Sequence, residues 1–248
     1  MIILSDETAD ISVPGASGTM RLRLFRPAVA GNFPGVLFFS EIYQVTAPIR
    51  RLAAMVAGQG YVVAVPEVYH EYEEPGTVLN YDQAGTDRGN SLKTTKPIAA
   101  FDADAKAALA FLRGHEACTG RLATLGVCLG GHLAYRAALD PSVSAAACFY
   151  ATDIHTGTLG AGKADDSLAR MAELKAETLF VWGRQDPHVP FEGRQAIRER
   201  LEAVGARYEW HEVNAAHAFL RDEGPRYDPA LFLQAMGWML ALFQRTLF

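Results

Sequence analysis

Short, unbroken apolar runs alternate along this chain with stretches in which apolar residues recur at helical spacing. Gly35-Val36-Leu37-Phe38-Phe39, Tyr61–Val65, Arg121–Val127, Val143–Phe149, Thr178–Trp182 and Arg207–Val213 read as strands, most of them apolar enough to be covered on both faces. Between them, Pro48–Gln59 (apolar at Ile49, Leu52, Ala53, Val56 and Ala57), Phe101–Arg113, Gly131–Leu139, Phe191–Val204 and Asp228–Phe243 read as helices. Strands that alternate with helices require right-handed crossovers and a mostly parallel sheet, an α/β fold. The beginning differs. Ala9–Val13 and Met20–Phe25 are short extended stretches around Pro14-Gly15-Ala16-Ser17-Gly18, which predicts a hairpin and an antiparallel N-terminal edge.

One segment breaks the rhythm. The 31 residues from Glu67 to Pro97 are polar and lack a clear apolar period, too long a connection to be idle in a compact fold. A lid-like or substrate-binding insertion at about 67–97 is expected, with disorder as the alternative. No repeat or low-complexity tract interrupts the rest, and 248 residues suit one large domain spanning 1–248.

Composition narrows the function classes. Half of the residues are hydrophobic and 21% are charged, as in an ordinary globular protein, and the net charge of −5 gives no long-range attraction to phosphate backbones or anionic membranes. Neither nucleic acid nor a membrane is an expected partner; small molecules are, for a monomer or small homo-oligomer. The start Met1-Ile2-Ile3-Leu4-Ser5-Asp6-Glu7 has no basic leader pattern, so a cytoplasmic location is expected. Cys118, Cys128 and Cys148 are odd in number and lack metal-ligand spacing, which points to free thiols and to no metal or organic cofactor.

The candidate chemistry begins at Gly126-Val127-Cys128-Leu129-Gly130-Gly131, between a strand and a helix. Glycines around a residue at such a bend allow the crowded backbone to turn sharply and lift that side chain into the open, a nucleophile elbow carrying sulfur. The bland alternative is a small buried hydrophobe with glycines for packing. Ligand sites of open α/β sheets form beyond the carboxyl ends of the strands. There stand Glu41 and Ile42 after the 35–39 strand, Cys128 after 121–127, Asp186 in Gly183-Arg184-Gln185-Asp186-Pro187 after 178–182, and His217 in Asn214-Ala215-Ala216-His217-Ala218-Phe219 after 207–213. All should face one crevice.

A thiol must lose its proton to attack a carbonyl; a histidine can take it, and a carboxylate can hold the imidazole in the required tautomer. Leu129 and Ile42 are placed to offer peptide N–H groups as an oxyanion hole. The order nucleophile, acid, histidine is the one α/β-hydrolases use. Asp153, Asp165 and Asp166 are rivals to Asp186, and His188 to His217.

With these residues assembled, the chain resembles the dienelactone hydrolase family of the α/β-hydrolase superfamily. The resemblance runs from about Arg21 to the C-terminus and rests on Ser40-Glu41-Ile42-Tyr43, Pro66-Glu67-Val68-Tyr69, the cysteine elbow, Gly183-Arg184-Gln185-Asp186-Pro187 and His217-Ala218-Phe219-Leu220-Arg221. It implies a Cys128–His217–Asp186 triad, with Glu41 close to the thiol as the base that helps to form the thiolate when substrate arrives. It also implies small enol-lactone substrates carrying a carboxylate, held by arginines. Arg221 matches one of these. For the second, Arg88 in Thr86-Asp87-Arg88-Gly89-Asn90 is the available arginine, with Lys93 and Lys96 nearby.

The leading expectation is therefore a hydrolase opening a dienelactone-like ester through a thioester on Cys128. A general esterase, thioesterase or acyltransferase on the same fold, and a non-catalytic ligand-binding module, are the alternatives. Ser40, Gln44 and the tyrosines of the 67–97 stretch depart from the usual family pattern and bear on which substrate is used rather than on the chemistry.

Overall fold

The computed structural model describes residues 1–248. Its centre is a sheet of eight strands, β1 (Ile3–Ser12), β2 (Thr19–Pro27), β3 (Phe33–Phe39), β4 (Val62–Pro66), β5 (Cys118–Val127), β6 (Val143–Phe149), β7 (Glu177–Gly183) and β8 (Tyr208–Val213). Their spatial order is β1-β2-β4-β3-β5-β6-β7-β8. β1 and β2 pair antiparallel and β2 is antiparallel to β4, whereas every pair from β4 to β8 is parallel. This is the α/β-hydrolase arrangement with the antiparallel edge that the hairpin chemistry predicted.

The helices are α1 (Ala47–Ala57), α2 (Gln83–Thr95), α3 (Ile98–Gly114), α4 (Leu129–Ala137), α5 (Ser167–Arg170), α6 (Phe191–Ala203) and α7 (Pro229–Leu247). Alternate residues of the central strands feed two cores. Leu37 and Phe39 belong to the same core as Leu109 of α3, Leu133 of α4 and Ile197 of α6; Val36 and Phe38 belong to the other, with Leu52 of α1 and Met239 of α7. Because both faces are covered, these strands carry continuous apolar runs rather than alternating ones. β1 begins at Ile3, earlier than its apolar pattern indicates. An edge strand extends on backbone pairing and polar partners, here Asp10 opposite Arg21 at 2.8 Å and Glu7 with Arg26 at 2.7 Å.

The 67–97 stretch contains a helix that the apolar pattern did not indicate. Only Gly85, Gly89 and Leu92 of α2 are buried. Capping and charge hold it instead: Asp82 accepts a hydrogen bond from the Gly85 N–H at 2.8 Å, and just past the C-terminus the buried Lys96 ammonium donates to the Val68 carbonyl (2.9 Å) and to Asp104 (2.7 Å). Glu71 and His70 complete this cluster, with the His70 side chain buried against Asp104 at 3.0 Å.

Candidate active site

Cys128 sits between β5 and α4 with φ 59° and ψ −126°, a left-handed backbone rare for a side-chain-bearing residue. The bend is imposed by close approach. A Cβ on Gly126 would lie 1.8 Å from the Gly130 carbonyl oxygen, and one on Gly130 would lie 2.1 Å from that of Phe39. The Cys128 N–H donates to the Phe149 carbonyl at 3.1 Å, and its own carbonyl accepts from the Gly131 N–H at 3.0 Å, so neighbouring strand and following helix both pin the turn. The thiol is half-buried and lines a cleft of about 190 Å³. Leu129 is the first residue of α4, which aims the positive end of the helix at the same point.

His217 and Asp186 come from the loops after β8 and β7. His217 Nδ1 and Asp186 Oδ2 are 2.6 Å apart, and both side chains are buried. The other Asp186 oxygen accepts the His188 N–H at 2.8 Å, which fixes the carboxylate's orientation. Burial acts to lower the His217 pKa, but the neighbouring Cys128 and the hydrogen-bonded Asp186 carboxylate outweigh it and raise it to about 10. The ring is packed edge-on against Tyr150 (5.1 Å between centroids) and His188 (4.6 Å).

The rivals are otherwise engaged. Asp153 pairs with Lys93 at 3.0 Å, and Asp165 and Asp166 pair with Arg136 at 3.0 and 2.8 Å. His188 meets Asp186 through its backbone, and its ring is the cleft wall beside His217.

Glu41 and Ile42 follow β3 and line the same cleft. The Ile42 N–H donates to no acceptor in the protein, which leaves it available to an incoming oxyanion. Helix α2 presses close here, since a Cβ on Gly89 would lie 2.7 Å from the Ile42 carbonyl oxygen. Glu41 is 3% exposed and accepts a hydrogen bond from the Tyr81 hydroxyl at 3.0 Å, while Arg221 lies 3.8 Å away and stacks over the Tyr81 ring at 4.2 Å. With the Tyr81 proton committed to Glu41, the Thr46 hydroxyl donates to Tyr81 at 2.7 Å. Burial pushes the Glu41 carboxyl above its ordinary range, opposed by Arg221 and Tyr81. No hydrogen bond joins Glu41 to Cys128; its partners are the arginine and the tyrosine.

Arg88 does not belong to the cleft. It is about half exposed and bonded to Glu73 at 2.6 Å. The face of α2 that lines the cleft carries Thr86, Asn90 and Lys93, at i, i+4 and i+7, and Arg88 lies on the far side of the helix from them. The cations that do line it, besides Arg221, are Lys93 and Arg226. Neither Arg226 nor Tyr81 stands directly after a strand. The only sequence signal for Arg226 is its place five residues beyond Arg221, in a Gly-Pro loop.

Two groups of side chains bring ligand-type atoms within 4.8 Å of one another, Asp186 with His188 and His217, and His70 with Glu71 and Asp104. The first is the acid–histidine pair with its wall. The second already surrounds a cation, the Lys96 ammonium.

The profile of the Dienelactone hydrolase family matches residues 20–247. The chain is 42% identical over 240 residues to a Saccharomyces cerevisiae relative bearing the carboxymethylenebutenolidase name, covering 92% of this chain and 88% of that one. It is 29% identical over 222 residues to carboxymethylenebutenolidase of Pseudomonas putida, covering 89% of each. Among solved structures, a Klebsiella pneumoniae protein bearing the dienelactone hydrolase name superposes with a TM-score of 0.81 at 24% identity, over 98% of this chain and 99% of that one. The chain therefore belongs to the dienelactone hydrolase family of carboxylic ester hydrolases and carries the α/β-hydrolase fold.

Proposed function

We propose that the protein opens a small, carboxylate-bearing enol lactone through a thioester on Cys128. The observation that carries this reading is the convergence, in one cleft, of a half-buried thiol on a strained elbow, an imidazole tied to a buried carboxylate, and an arginine paired with a second acid. In this scheme the thiol proton passes to His217, whose imidazolium Asp186 stabilises, and the thiolate sulfur bonds to the lactone carbonyl carbon. The N–H groups of Leu129 and Ile42 hold the oxyanion, at about 2.7–4 kcal/mol per donor in comparable sites. The ring C–O bond then breaks, and the departing enolate takes the proton from His217. Water, deprotonated by His217, attacks the thioester and returns the thiol.

Arg221 anchors the substrate carboxylate. Since Arg221 is also the partner of Glu41, an incoming carboxylate competes for the arginine and releases Glu41 toward the thiol as a second base. A carboxylate beside a thiol opposes thiolate formation by like-charge repulsion, and that opposition ends once Glu41 has taken the thiol proton and is itself neutral.

Rapid acid quenching of a turnover reaction, followed by intact-mass and peptide analysis, is expected to find the acyl group on the Cys128 peptide and not on Cys118 or Cys148, both buried. An adduct elsewhere, or none under turnover with any lactone or aryl ester, rejects the mechanism. Arg221→Ala separates this reading from a general esterase: it should raise KM about tenfold or more for an anionic lactone and leave kcat/KM for a neutral aryl ester within about threefold. Equal loss on both substrates would make the arginine a structural one.

A further inference from the structure

The cleft has two charged flanks. Sheet order sets β3 and β6 on either side of β5, so Glu41 after β3 and Thr152 after β6 stand on opposite sides of Cys128. On the β3 side are Arg221, over Tyr81 and near Glu41, and Arg226, whose one hydrogen bond is to the His217 carbonyl at 3.4 Å and which meets no carboxylate. On the β6 side Lys93 descends from α2, held by both oxygens of Asp153 at 3.0 and 3.1 Å. About one turn earlier stands Asn90, whose side-chain amide takes part in no hydrogen bond within the protein although it lines the cleft.

Three cationic side chains thus line the cleft; Arg221 faces Glu41, Lys93 is paired with Asp153, and Arg226 meets no carboxylate. Apolar lining is scarce, confined to Ile42, Tyr43 and Ala218 beside the cysteine, so an aliphatic acyl chain finds little surface to bury. Cations spaced on both flanks of a partly enclosed cleft favour a ligand with negative charge at each end, since each end then gains a charge-assisted hydrogen bond.

We infer that the preferred substrate is a short dianion: one carboxylate on the leaving-group half, anchored by Arg221 and Arg226, and a second on the acyl half, received by Lys93 and Asn90. The inference rests on the hydrolytic reading above for placing the scissile carbonyl at Cys128 between the two flanks. With the leaving-group carboxylate at Arg221, as in that reading, the acyl carbon chain would extend from the carbonyl toward the β6 flank, where Lys93 and Asn90 stand.

Isothermal titration of the whole protein with a series of short saturated α,ω-diacids and the monoacids of equal length tests it. The best-fitting diacid is expected to bind at least about tenfold tighter than its monoacid. Lys93→Gln should erase that advantage while changing monoacid affinity by less than about twofold, and Arg221→Ala should weaken both ligands. Should a thermal melt show that Lys93→Gln loosens α2, Asn90→Ala carries the test, because its amide supports nothing else in the protein; it should shrink the diacid advantage alone. Equal affinity for mono- and diacids, or an advantage unmoved by both the Lys93 and Asn90 variants, overturns the inference. The readout is affinity. A protein that prefers diacids but never acylates Cys128 would overturn the hydrolytic reading alone, and one that acylates yet ignores the second carboxylate would overturn this inference alone.

Discussion

Cys128→Ala is expected to lower lactone hydrolysis by roughly 10⁴-fold or more, since loss of a nucleophile in a triad removes most of the rate that the oxyanion hole and binding do not supply. The fold should survive. Alanine occupies the same left-handed backbone with a side chain smaller than that of cysteine, and the turn is held by backbone hydrogen bonds to Phe149 and Gly131 that do not involve sulfur. A second signature should accompany the loss. Because the Cys128 charge is the largest of the influences that raise His217, the imidazole of the alanine variant should titrate well below the value of about 10 in the parent protein, as read from its ring resonances by NMR. Hydrolysis retained in the variant discards the thioester route. An unmoved His217 titration would mean that thiol and imidazole are not coupled.

The largest effect on stability is expected at Gly130. A methyl group there would sit 2.1 Å from the Phe39 carbonyl oxygen and 2.4 Å from that of Ser40, both backbone atoms in the centre of the sheet that no rotamer change can clear. Gly130→Ala should cost about 3 kcal/mol or more, which for a chain of this size lowers the thermal midpoint by roughly 6–12 °C. Gly126→Ala, meeting the Gly130 carbonyl oxygen at 1.8 Å, should behave alike. Gly237→Ala is the matched control. It lies within α7 with no atom inside 4 Å of the added carbon, and should stabilise the protein by about 0.5–1 kcal/mol through helix propensity. If all three variants melt together, the elbow is not as tightly packed as described, and the strain at Cys128 has another origin.

Legibility of the fold tracked burial. β3 to β7 and the helices α1, α3, α6 and α7 are long, strongly patterned elements, and their apolar residues are those that fill the two cores. The two elements that the pattern missed, α2 and α5, bury few apolar side chains; α2 is held by the Asp82 cap and the Lys96 cluster, whose partners lie far away in sequence. Of the site, Cys128, Asp186, His217, Glu41 and Ile42 could be located because each follows a strand whose end the chain announces. Arg88 was misplaced for the complementary reason. Without knowing that residues 83–95 are helical, nothing tells Arg88, which faces solvent, from Lys93, which faces the cleft.

Local chemistry along the chain is thus enough to dictate the parallel sheet, the bend at Cys128 and the roster of candidate nucleophile, acid and histidine, since these depend on periodicity, glycine and the order of strand ends. Partnership is another matter. That Glu41 binds Tyr81 and Arg221 rather than the thiol, that Asp186 takes His217 through its side chain and His188 only through its backbone, and that Lys93 and Arg226 complete the cleft all follow from how loops distant in sequence pack over the sheet. Electrostatic pairing falls off over a few ångströms of space, and distance along the polypeptide does not encode it.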